Sequence, residues 1–138
     1  MSRRPVRLPL PDATALRLLA STGLGRIVFS RYALPAISPA DHIVDGDRLI
    51  VRGGDGALPT RDTQVLTYEA DLIDPGTGLG WYVTVTGTAD AVTSPHDTAR
   101  YRNLFPPGIS GPDDRVFRIR PQIITGIEYR APDDSRTD

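Results

Sequence analysis

The sequence has no cysteine and no lysine. Without cysteine there is no disulfide, no thiol nucleophile and no thiolate metal ligand. Without lysine there is no Schiff-base chemistry at a side-chain amine, and all 16 basic positions are arginine. Histidine occurs only at His42 and His96, in separate segments with no neighbouring ligand cluster, so their spacing offers no metal site. No serine stands in a Gly-x-Ser-x-Gly setting, which removes support for a hydrolase triad. Net charge is −1, so there is no electrostatic case for a nucleic-acid partner. No apolar run approaches the ~18 residues of a membrane span and no signal-peptide segment is evident, so a soluble cytoplasmic protein is expected.

What is present favours strands. The 138 residues suffice for one domain with a modest core, and 13 prolines with 13 glycines suit many short strands and turns. The organising stretch runs from Gln64 to Val92. Residues 64–73 and 81–89 are rich in β-branched and aromatic side chains, and Asp74-Pro75-Gly76-Thr77-Gly78-Leu79-Gly80 between them supplies a turn. In the second strand Trp81, Val83 and Val85 share one face, expected to be dry, and Tyr82, Thr84 and Thr86 the other.

Ahead of this hairpin, residues 1–11 read as a loose or extended arm. A helix is predicted over 12–22, capped by Asp12 and ended by Gly23. Strands are predicted over 26–31, 33–44 and 48–52. Pro35 and Pro39 should confine the second of these to an edge or a bulge, and Asp45-Gly46-Asp47 is a hairpin turn. Residues 58–63 are read as a helical turn. After the hairpin, Ser94-Pro95-His96-Asp97 is a helix start for an element ending at 104. Residues 115–120 alternate as a strand, Pro121 is expected to break it, and 123–129 form a last strand. The tail, 131–138, is charged and expected to be disordered. Six or seven strands and two helices make a small β-barrel with helical plugs, occupying 12–130 as one domain.

Candidate chemistry is sparse. Glu69 and Asp71 share one strand face and are expected to line a solvent face or to pair with arginine; acid–base work is the alternative. Gly76-Thr77-Gly78-Leu79-Gly80 precedes a strand, so it is a hairpin loop and not a dinucleotide fingerprint. Arg52-Gly53-Gly54-Asp55-Gly56 can present an arginine fork and successive amides to an anion, with Arg61 near in sequence. His42 is expected to pack or hydrogen-bond. Trp81 is expected in the core or at a dimer contact.

Several segments in order resemble the FMN-binding, pyridoxamine 5'-phosphate oxidase-like split-barrel family, in its short actinobacterial-type branch. They are Leu18-Leu19-Ala20-Ser21-Thr22 with Gly25-Arg26-Ile27-Val28; Leu34-Pro35-Ala36-Ile37-Ser38-Pro39; Ile43-Val44-Asp45-Gly46; Tyr68-Glu69-Ala70-Asp71; Gly80-Trp81-Tyr82-Val83-Thr84-Val85-Thr86-Gly87-Thr88-Ala89; and Arg118-Ile119-Arg120-Pro121 with Ile124-Thr125-Gly126. The resemblance implies a mainly β fold, a six-stranded antiparallel Greek-key split barrel with two or three peripheral helices. It also implies a homodimer with FMN in the cleft between subunits, and a flavin-dependent oxidoreductase acting on a small molecule. It places the flavin ring along Ser38, Pro39, Ala40, Asp41 and His42, and the phosphate on Arg52, Gly53 and the loop at Leu58; Arg61, near in sequence, is expected to help hold the phosphate, and Trp81 to close the pocket or the dimer. Asp41 and His42 stand where the family has an asparagine and an aromatic, Gly53 stands for a threonine, and Gly56-Ala57-Leu58-Pro59 lacks the family's serine and lysine. The alternatives are a non-enzymatic binding or regulatory module without FMN, or another ligand in the same cleft: haem with His42 as axial ligand, or a deazaflavin.

Overall fold

The central hairpin forms where the period-two pattern places it. Residues Gln64–Ile73 and Gly80–Ala91 pair antiparallel without interruption, from Gln64 opposite Ala89 to Ile73 opposite Gly80. A computed structural model describes residues 4–53, 64–111 and 114–132, and in these the elements are β1 (Val6–Pro9), α1 (Asp12–Ala20), β2 (Leu24–Arg31), β3 (Leu34–Asp45), β4 (Arg48–Gly53), β5 (Gln64–Ile73), β6 (Gly80–Ala91), α2 (Pro95–Leu104) and β7 (Arg115–Arg130). The helical turn expected over 58–63 lies outside the described residues.

All pairings are antiparallel, and they close on themselves. The strand order β7-β4-β3-β2-β5-β6 returns to β7 through a β6–β7 ladder, giving a ring of six strands. Three hairpin-linked strands, β2, β3 and β4, are followed by β5, which returns to lie beside β2; this is the Greek-key order. β1 adds a seventh strand on β7, Val6 opposite Arg130. The stretch expected to be a loose or extended arm is therefore extended and paired. Its Pro9 is tolerated because β1 is an edge strand.

Two further expectations are corrected, and the edge expected of β3 is found in its first half. Pro121 does not end a strand: β7 runs through it for 16 residues. Opposite it the register shifts, with Thr86 facing Ile123 and Gly87 facing Pro121, so Gln122 is the extra residue of a bulge that absorbs the missing donor. Helix α1 ends at Ala20, sooner than expected. It takes Pro11 at its cap position with no side-chain cap bond, while Asp12 lies inside the first turn. The prolines of β3 sit in its 34–40 half, which pairs only with β2 among the described residues; β4 joins at Asp41–Asp45.

The core lies inside the ring. Ile27, Leu49, Val51, Tyr68, Val83, Val85, Phe117 and Ile119 are buried there with Ala15 and Leu19 of α1. α1 reaches so close because position 126 is glycine: a Cβ there would come within 2.8 Å of the Ala15 Cβ. Outside the ring, α2 lays Tyr101 with Phe105 over Ile50, Val92 and Val116 in a second cluster. β4 is thus covered on both faces, which is why Leu49 to Gly53 are all buried. The Ser94 hydroxyl caps α2 at the Asp97 amide, as its sequence predicts. Among the described residues no helix is long and apolar enough to cross a membrane.

Candidate functional site

β3 alternates its faces, and that alternation sorts the candidate residues. Ala40 and His42 turn into the ring core, while Asp41 and Ile43 turn outward beneath α2 and the segment after it. The tight turn at Gly46, with φ +66°, sets the β3–β4 register so that Asp41 lies directly opposite Arg52. Both are buried, at 5% and 7% exposure.

Their side chains form an ion pair, Arg52 Nη2 to Asp41 Oδ2 at 3.3 Å. The segment after α2 closes over it. The Ile109 amide donates to Asp41 Oδ1 at 3.1 Å and the Ser110 amide to Oδ2 at 2.9 Å. The Ser110 hydroxyl donates to the Arg52 carbonyl at 2.8 Å, and the guanidinium lies 4.6 Å from the centre of the Phe105 ring. Burial alone would raise the Asp41 carboxyl, but the Ser110 and Ile109 amides with Arg52 outweigh it and hold it below the usual carboxylate range. Arg52 Nε is buried without a hydrogen-bond partner.

On the inner side, His42 is 1% exposed. Its Nε2 lies 2.8 Å from the Leu19 carbonyl and its Nδ1 2.6 Å from the Tyr68 hydroxyl. A carbonyl only accepts, so Nε2 carries the proton; in the neutral ring Nδ1 then accepts from Tyr68. The Tyr68 hydroxyl also lies 3.1 Å from the Ala40 carbonyl, a second acceptor for the same proton. Burial lowers the His42 pKa, and burial raises that of Tyr68. With both ring nitrogens engaged, haem ligation by His42 would require breaking one of these bonds.

Next to this pair of networks, clefts meet at the Thr22–Gly23–Leu24 connection between α1 and β2. One, of about 510 Å³, is walled by Ala20, His42, Ile43, Val44, Leu104 and Pro106. A second, of about 330 Å³, borders Asp41, Leu24, Gly108 and Ile109. A third, of about 300 Å³, borders Gly25, Arg26, Pro39, Asp71 and Leu72. At its edge, Arg26 Nη1 bridges Glu69 at 2.9 Å and Asp71 at 3.3 Å, the arginine pairing expected for these carboxylates. Burial first, then the neighbouring Asp71, push the Glu69 carboxyl up to about 7 against the pull of Arg26. Among the described residues no group of three His, Asp or Glu side chains is placed to hold a metal ion.

The candidates divide accordingly. Asp41 and His42 line clefts, while Arg52 is buried beside Asp41 and borders none of these three. Ala40 is core and contributes its carbonyl to Tyr68. Ser38 is half-buried on β3 opposite Ile27, away from the Asp41–Arg52 pair in register. Gly53 is buried at the end of β4, and Trp81 packs in the main core at 8% exposure. Leu58 and Arg61 lie outside the described residues. Sequence reasoning did not single out Tyr68, Ile109 or Ser110 as site residues; nothing local to them signals that they close on β3.

A family model described as pyridoxamine 5'-phosphate oxidase matches residues 11–128. An uncharacterized protein of Mycobacterium tuberculosis is 44% identical over 130 residues, covering 89% of this chain and 84% of that protein. A solved structure from Corynebacterium glutamicum, provisionally named a pyridoxamine 5'-phosphate oxidase, superposes with a TM-score of 0.74 at 29% identity, over 91% of this chain and 99% of the other. An FAD-binding protein from Mycobacterium smegmatis shares the fold with a TM-score of 0.67 at 24% identity, over 91% and 100% of the two chains. The matched span begins just before α1 and ends near the close of β7, taking in every strand of the ring, and the chain belongs to the pyridoxamine 5'-phosphate oxidase family.

Proposed function

We propose that the chain binds a flavin, FMN or a close relative, and serves as a flavin-dependent oxidoreductase on a small-molecule substrate, working as a homodimer. The observation that carries this reading is the cleft of about 510 Å³ on the family's frame, within the roughly 300–1,000 Å³ typical of small-molecule pockets. Its walls combine the apolar side chains of Ile43, Val44, Leu104 and Pro106 with the hydroxyl-bearing Ser21 and Thr22, which suits a flat ring that is apolar on its faces and polar at its edge. The bound flavin supplies the electron-transfer chemistry, and the protein orients it and excludes water. The phosphate end fits less well at Arg52, whose guanidinium is already taken by Asp41. We assign the phosphate instead to Arg61, the next arginine along the chain from Arg52.

The homodimer is supported by a charge-free row across the outer face of five strands. Ile37, Val28, Thr67, Thr86 and Ile123 lie opposite one another in register. Ile37 and Ile123 are 67% and 63% exposed, large apolar groups that a second subunit would cover. Sedimentation of the purified protein tests it: a dimer that Ile37→Asp with Ile123→Asp converts to monomer is expected, and a monomeric wild type removes the proposal.

The occupied arginine favours a second reading, a ligand-binding module without FMN. The visible spectrum separates the two. A yellow protein that releases FMN on denaturation is expected. A colourless protein whose spectrum does not change on titration with FMN replaces the first reading with the second, and a Soret band replaces it with haem.

A further inference from the structure

Asp41 does more than neutralise Arg52. Its carboxylate accepts from two successive backbone amides, Ile109 and Ser110, and from Arg52 Nη2. Successive amides converging on one point form an anion-binding concavity, and a guanidinium beside them is the side chain best matched to an oxyanion. The ensemble is an oxyanion site already filled by the chain's own carboxylate. We propose that Arg52, Ile109 and Ser110 form an oxyanion site whose tenant is Asp41, and that Asp41 thereby determines specificity: it shuts phosphate out of the adjoining cleft, and removing its carboxylate admits phosphate.

Two further observations mark the site as built for an oxyanion that is not tethered. Asp41 reaches Nη2 only, and the adjacent Nε of the same fork is buried with no partner. A carboxylate held on β3 directly opposite Arg52 cannot slide along the guanidinium edge, whereas a free tetrahedral oxyanion can meet Nε and Nη2 together. Access also exists, because the cleft of about 330 Å³ is bordered by Asp41, Gly108 and Ile109. At position 108 a Cβ would run into the Asp41 carboxylate, so only glycine lets the segment draw its amides this close. With Asp41 in place the arginine charge is balanced, and an incoming phosphate meets a buried like charge at close range. Without it the pocket holds one uncompensated guanidinium and two free amides.

This inference concerns the cleft next to the one proposed for the flavin, the two meeting at Gly23 and Pro106, and it deepens that reading by stating what the Asp41 side refuses. Its test uses inorganic phosphate alone, so its failure leaves flavin binding standing, and a colourless protein leaves the phosphate result standing. Thermal unfolding of wild type, Asp41→Ala and Asp41→Ala with Arg52→Met is followed in phosphate and in chloride of equal ionic strength. The melting temperature of Asp41→Ala should rise with phosphate concentration, while wild type and the double variant should not respond. If Asp41→Ala melts identically in both salts, or if wild type or the double variant responds as strongly, the proposal is overturned. If Asp41→Ala does not fold in chloride, it is refolded in phosphate; recovery of native circular dichroism supports the site and absence of recovery overturns it.

Discussion

Two arginines on neighbouring parts of the ring hold carboxylates in opposite ways. The Arg52 side chain is buried and faces one carboxylate, Asp41, itself buried and supplied with two backbone amides. Arg26 is 55% exposed and shares a single nitrogen between Glu69 and Asp71. The carboxyl that is more deeply buried is the one held below its ordinary range, and the one nearer to its arginine, Glu69 at 2.9 Å, is the one pushed up to about 7. Proximity to a guanidinium therefore does not decide ionisation here. Burial pushes both carboxyls up, and what separates them is the count of donors against the count of negative charges. Asp41 has three donors to itself, whereas Glu69 divides one arginine with a like-charged neighbour two residues away.

The contrast is breakable by experiment. The largest effect is expected from Arg52→Met, which leaves Asp41 buried and uncompensated and should cost about 3–5 kcal/mol in urea unfolding. Arg26→Met should cost no more than about 1 kcal/mol, because its charge is largely in solvent. Equal costs for the two would abolish the distinction. Tyr68→Phe comes next. It removes the hydroxyl between His42 Nδ1 and the Ala40 carbonyl, and leaving buried acceptors unsatisfied should cost about 1–3 kcal/mol; a neutral result would mean that water or repacking replaces the hydroxyl.

Smaller effects lie in the pH dependence, where the two clusters should differ in sign. Glu69 has a folded pKa raised from 4.5 to about 7, so the folded state binds the extra proton between these values. Its contribution is fully present below 4.5 and is lost as pH rises through about 7. Glu69→Gln should abolish that alkaline loss, gaining on wild type between pH 5 and pH 8 in paired melts. Asp41 and His42 are lowered from 3.8 and 6.5 respectively, and their contributions are lost in the other direction, as pH falls. For His42 the loss begins below 6.5, and proton NMR should find its imidazole still neutral where a free histidine is half charged. A His42 ring that titrates at the ordinary position would contradict its burial.

Much of the ring was legible along the chain. Residues 64–73 and 80–91 announce themselves by alternation, and Ser94-Pro95 announces α2 through capping chemistry that acts within one helical turn. The Asp41–Arg52 pairing was not read from the sequence: the resemblance had assigned Arg52 to a phosphate, and it is the β3–β4 register that sets Arg52 opposite Asp41. β1 was not legible, because Val6–Pro9 has no pattern of its own and becomes a strand by pairing with β7. Pro121 misled for a related reason. A bulge can absorb a proline only where the partner strand offers a residue such as Gly87, whose missing Cβ leaves room for the Arg120 carbonyl.

By itself the sequence determined the residue alphabet of any site, with guanidinium as its strong cation and neither thiol nor side-chain amine available. It also determined the central hairpin strands, the turn at Gly46 and the start of α2, since these depend on neighbours a few residues apart. Only the tertiary structure decided that Arg52 would meet Asp41 under the Ile109 and Ser110 amides and that His42 would lie between Leu19 and Tyr68. Those contacts span tens of residues and exist only once the ring has closed. The ionisation of a buried group follows from which donors that closure brings within reach.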